Sequence, residues 1–123
     1  MGHEIKTYKD LIVWQKSVEL VVKVYDITRS FPDSEKFGIV NQMRRAAVSV
    51  PSNIAEGYGR GSKNDYLRFL KIACGSCNEL ETQIEISYQL EFISTVDYER
   101  LSEDITEINK ILATIIRKLM PNP

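Results

Sequence analysis

A chain of 123 residues, 43% apolar and 27% charged, has the length of one domain and a globular balance, which excludes an intrinsically disordered chain. Its net charge of −1 hides an asymmetry: residues 36–71 hold seven bases against the two acids Glu56 and Asp65, and residues 79–107 hold nine acids against Arg100 alone. Two cysteines are too few for a disulfide framework, no apolar run reaches bilayer length, and Met1-Gly-His-Glu-Ile-Lys6 lacks the apolar core of a signal peptide, so a cytoplasmic protein without a membrane partner is expected.

Residues 1–9 show no period and read as a short arm, followed by a single domain over 10–120. Asp10 is positioned to cap a first helix starting at Leu11. That helix carries two apolar stripes, one of Leu11, Trp14, Val18, Val21 and Tyr25 and another of Val13, Leu20, Val24 and Ile27. One bundle contact needs one stripe, so the second predicts a wide buried face, supplied by a deep bundle or by another subunit. Phe31-Pro32-Asp33-Ser34 ends this helix and opens the next, with Asp33 or Ser34 as its cap.

The second helix is expected over about Glu35 to Tyr58, with Met43, Ala47, Val50 and Ile54 on its core stripe and Arg44 and Arg45 off it. Pro51 lacks an N–H and crowds the carbonyl of Ala47, which predicts a bend or break at a cost of roughly 3 kcal/mol. Gly57, Gly59 and Gly61 then permit the angles that close a helix. Ser62 and Asp65 form a capping-box pattern that starts a long third helix, whose seam is Tyr66, Leu70, Ala73, Cys77, Leu80, Ile84 and Ser87. Ser94 and Asp97 repeat the cap before a fourth helix with the heptad seam Tyr98, Leu101, Ile105, Ile108, Leu112, Ile115 and Leu119, which Pro121 and Pro123 prevent from continuing. Four helices with short connections and no strand pattern predict an all-α, antiparallel up-and-down four-helix bundle, its second helix bent at Pro51.

Cys74-Gly-Ser-Cys77 has the spacing of a thiol oxidoreductase but sits inside a helix, away from the N-terminus that would lower a thiol pKa. Its small residues read better as a place where another helix comes close. His3 is the one histidine and lies far from both cysteines, so no metal site and no cofactor are expected. Gly57 to Lys63 matches no phosphate-loop pattern, though the N–H groups that open the third helix, beside Arg60 and Lys63, suit a phosphate oxygen. Glu79, Glu81 and Glu85 belong to a solvated face before they belong to acid–base chemistry, and no nucleophile–base pair is present, so an enzyme is not expected.

Arg44-Arg-Ala-Ala-Val-Ser-Val-Pro-Ser-Asn-Ile-Ala-Glu-Gly57, with Val13-Trp-Gln-Lys16 before it and Gly75-Ser-Cys-Asn-Glu-Leu-Glu81 after it, resembles a bacterial four-helix-bundle family encoded in intervening sequences of 23S rRNA genes and named as a ribosomal protein. The accessory variability determinant of diversity-generating retroelements is a related branch. The likeness runs from about Tyr8 to Leu119. It implies the bundle, a ring-like homopentamer, and, from the retroelement branch, a basic surface that engages nucleic acid and a protein partner. It also marks Pro51, Asn53, Glu56, Gly57 and Glu79 as structural signature positions, with Arg44 or Arg45 expected to pair with Glu79 or Glu56 across helices.

The expected function is a non-enzymatic homo-oligomer that binds RNA or DNA backbone through Arg44, Arg45, Arg60, Lys63, Arg68 and Lys71. In such an assembly the base-rich region of one copy meets the acid-rich region of the next. The alternative is a structural adaptor for a protein partner, with no nucleic acid. A pI near 5.9 departs from the basic character of the retroelement branch.

Overall fold

Apolar side chains recurring at helical spacing can be buried together only if the helices carrying them pack side by side, and this chain does so with four. The computed structural model describes residues 4–121. Helix α1 spans Ile12–Thr28, α2 Ile39–Gly59, α3 Lys63–Gln89 and α4 Thr95–Leu119, and no strand occurs among the described residues. Each helix has two neighbours, in the cycle α1, α2, α3, α4, and the backbones of neither diagonal pair approach within 8 Å. On α2 and α3, Met43 meets Ser87, Ser49 meets Ser76 and Gly57 meets Phe69, so these two helices run antiparallel. Lys16 with Glu107 and Lys23 with Asp104 give the same sense for α1 and α4.

The core lies along the expected seams. Leu70, Ala73, Cys77, Leu80, Ile84 and Ser87 of α3 are buried with Leu101, Ile105, Ile108 and Leu112 of α4, and with Met43, Ala47, Val50 and Ile54 of α2. In α1 the stripe of Val13, Leu20 and Val24 is buried, joined by Ser17 and Thr28, whose hydroxyls donate back to the carbonyls of Val13 and Val24. The other stripe, with Trp14, Val18 and Val21, is only half-buried, and Tyr25 is exposed.

Two caps fall where the sequence puts them, Ser62 accepting from the Asp65 N–H at 3.3 Å and Ser94 from the Asp97 N–H at 3.1 Å. Two do not. Asp10 does not cap α1; its carboxylate accepts from the N–H groups of Lys6 and Thr7 and closes a separate 3-10 turn over Tyr8–Asp10, in which Tyr8 packs edge-on against Trp14. Neither Asp33 nor Ser34 caps α2, because Asp33–Glu35 form their own 3-10 turn and α2 begins four residues later, after Gly38.

Helix α2 is continuous through Pro51, which is buried. Only Gly61 of the turn glycines takes a left-handed φ, of 75°. Gly57 is needed for another reason, since a Cβ there would lie 2.6 Å from the Cβ of Phe69, and α3 crosses α2 at that point. Glu91 closes α3 at a φ of 63°, with the Phe92 N–H reaching the Ser87 carbonyl and the Glu91 N–H the Tyr88 carbonyl.

Candidate functional site

Successive residues on a helix point about 100° apart, so the adjacent arginines of α2 serve different neighbours. Arg44 turns to α1: its Nε donates to the Thr28 hydroxyl at 3.0 Å, an Nη donates to the Tyr25 carbonyl at 3.3 Å, and the guanidinium lies 4.4 Å from the centre of the Tyr25 ring. A cation there satisfies a carbonyl in the last turn of α1 and complements the negative end of that helix. Arg45 turns to α3. With Asn41, Gln42, Ala46, Ser49, Ser76 and Glu79 it lines an open cleft of about 350 Å³ between the two helices.

The expected cross-helix ion pair is not made. Among the described residues no ion pair joins Arg44 or Arg45 to Glu79 or Glu56: Arg44 is held by α1, Glu56 is taken by Arg60 one turn along its own helix at 3.2 Å, and Arg45 and Glu79 share the cleft without closing on each other. Signature residue Asn53 instead donates its side-chain amide to the carbonyl and hydroxyl of Ser49, at 2.8 and 2.9 Å. The Ser49 hydroxyl in turn meets that of Ser76 at 2.8 Å, so a polar string crosses from α2 to α3 beside the buried Pro51.

The remaining basic candidates gather at the α2–α3 turn. Arg60, Lys63, Arg68 and Lys71 are all exposed. Phe69 lies between two of them, the guanidinium carbons of Arg68 and Arg60 standing 4.5 and 5.1 Å from its ring centre. Glu56 and Asp65 each reach one arginine, Asp65 to Arg68 at 3.8 Å, and these exposed pairs hold weakly. Lys63 and Lys71 have no ion pair among the described residues. The six candidates therefore occupy two places. Fifteen residues of α2 separate Arg45 from Arg60, a rise of about 22 Å.

The cysteines lie against the interior. Burial pushes the Cys77 thiol up to about 12, with Cys74 and Glu81 adding to it, and burial also raises Cys74, the opposite of what thiolate chemistry needs. Ala73, Ser76 and Cys77 do sit against α2 or the core, but Gly75 opens on solvent with nothing within 4 Å of a Cβ, so close approach explains only part of that small-residue run. His3 and Pro123 lie outside the described residues. Sequence reasoning missed the two cross-helix pairs Lys16–Glu107 and Lys23–Asp104, which tie the acidic α4 to α1. Also missed was the Tyr98 hydroxyl donating to Glu85 at 2.5 Å, with Tyr88 stacked on Tyr98.

No helix among the described residues is long and apolar enough to cross a membrane. No relative among curated proteins matches the chain. Among solved structures it is similar to a crystal structure from Bacteroides thetaiotaomicron, described as a protein with unknown function from the S23 ribosomal protein family, with 32% identity and a TM-score of 0.77 over 85% of this chain and 98% of that one. The family described as 23S rRNA-intervening sequence protein matches residues 9–114. The chain belongs to the 23S rRNA-intervening sequence protein family.

Proposed function

We propose that this chain is a non-enzymatic, homo-oligomeric bundle protein that binds RNA or DNA by its backbone, through the α2–α3 turn. The observation that carries the reading is that Arg60, Lys63, Arg68 and Lys71 are all exposed and run from the α2–α3 turn into the first three turns of the 27-residue helix α3. The positive end of that helix adds to their field, and Phe69 restrains the two arginines before any ligand arrives. Arg44 is a structural clamp on α1 in this reading and leaves the phosphate-binding set. Self-association is supported by the half-covered stripe of α1, and the family resemblance implies a pentamer. Gel-shift titration of an oligouridine strand tests the binding. Four phosphate contacts predict affinity falling about fifty-fold between roughly 50 and 200 mM salt. Replacing Arg60, Lys63, Arg68 and Lys71 together by alanine should abolish the shift. Affinity indifferent to salt, or a quadruple variant that binds as well as the parent, refutes the proposal.

The adaptor reading has one observation in its favour. Phe37 is 87% exposed and, with Leu90 and Val96, leaves apolar surface near the α1–α2 and α3–α4 connections. Retention of a protein partner by a chain that shifts no nucleic acid would select it.

A further inference from the structure

The α2–α3 cleft holds two charged side chains that the bundle does not pair, Arg45 and Glu79. Arg45 from α2 and Glu79 from α3 line it with no ion pair between them, and Asn41 and Gln42 add amides at the same mouth. Arg45 on the α2 wall offers donors and Glu79 on the α3 wall offers acceptors.

A ligand suited to this pair of walls must show adjacent acceptors on one edge and adjacent donors on another. Guanine does: O6 and N7 accept a guanidinium bidentately, while N1–H and the N2 amino group together donate to a carboxylate. Uracil has one ring donor, and adenine and cytosine have only an amino group, so none of them satisfies both walls as fully. Resting on the nucleic-acid reading above, we propose that the cleft receives an unpaired guanine base of the bound strand, with Arg45 on its O6/N7 edge and Glu79 on its N1/N2 edge. The rise of about 22 Å from Arg45 to Arg60 corresponds to roughly six or seven stacked nucleotides, so one short strand reaches both places. The turn supplies backbone affinity and the cleft supplies base preference.

Fluorescence anisotropy separates the two contributions. The probes are a labelled oligouridine strand long enough to span both places and the same strand with guanosine at its central positions. The native chain should bind the guanosine strand roughly ten-fold tighter. Glu79→Gln should erase that preference and leave oligouridine affinity unchanged, with circular dichroism verifying the fold. Competition by guanosine monophosphate against uridine monophosphate on the native complex reads the same preference without a variant. Equal affinity for the two strands, or a preference that survives in Glu79→Gln, overturns the guanine assignment while backbone binding stands. If neither strand binds, both proposals fall.

Discussion

Gly57 and Gly75 show how the same residue type can be required at one position and costly at another. At Gly57 the missing Cβ is what lets α3 cross α2, since any side chain would meet Phe69 2.6 Å away at an atom fixed to the backbone. Gly57→Ala gains helix propensity of about 1 kcal/mol but forces two helices apart, an overpacking cost of about 1–3 kcal/mol, so a lower urea midpoint is expected. Gly75 lies inside α3 facing open solvent, and Gly75→Ala should raise the midpoint by about 0.5–1 kcal/mol of stability. Equilibrium unfolding of both variants checks the pair: two shifts of the same sign would show that the crossing at Phe69 does not set the requirement. The sequence places both glycines correctly within or beside helices. It could not tell them apart, because what distinguishes them is a neighbour on another helix.

Between elements, the α3–α4 corner is held by a polar clamp whose strength depends on pH. The Tyr98 hydroxyl, and then the Gln89 amide, donate to Glu85 and hold its carboxyl below the usual value, while the bond to Glu85 raises the Tyr98 hydroxyl above its own. For a lowered carboxyl the stabilisation is complete above the unfolded pKa, near 4.3, and is lost as pH falls through the folded value. For the raised phenol it is complete below about 10 and is lost as pH rises further. Tyr98→Phe keeps the ring against Tyr88 and removes the donor. Its deficit in urea midpoint should be present at neutral pH and shrink towards zero below pH ~4. Parallel pH profiles for the two proteins would remove the clamp from the account. The helices themselves were legible because apolar spacing and Ser-to-Asp caps are local signals, and the middles of the α3 and α4 seams are buried as expected, while Tyr66, Tyr98, Ile115 and Leu119 at their ends are only partly covered and Gln83 is buried beside the α3 seam. The start of α2 was not, because Asp33 and Ser34 signal a helix start equally well when they begin a 3-10 turn. The basic candidates were legible as residue types. Their partners were not, since Arg44 finds Tyr25 and Thr28 on another helix and Lys23 finds Asp104 across 81 residues of chain.

At the scale of the molecule, the second stripe of α1 is the feature that one chain leaves unfinished. A four-helix bundle covers one side of α1, and that side is filled by Val13, Leu20 and Val24, whereas Ile12 and Val22 remain 55% and 61% exposed beside the half-buried Trp14, Val18 and Val21. Lys16 and Lys23 are already engaged by Glu107 and Asp104, so part of the acidic half is neutralised within the chain, and in the proposed assembly the apolar stripe is the driving surface more than charge. Apolar surface in a continuous stripe marks an interface, and burying it in a closed ring satisfies every copy equally. Native mass spectrometry should accordingly find a closed oligomer, at about 70 kDa for five copies of a 14.1 kDa chain. Val22→Glu places a charge at the edge of the stripe, one turn beyond Val18, without touching the core, and should shift the population to monomer while leaving helical circular dichroism unchanged. A native chain that stays monomeric at micromolar concentration, or a Val22→Glu variant that assembles as before, would remove α1 as the assembling face, and the exposed stripe would then need a different partner to cover it.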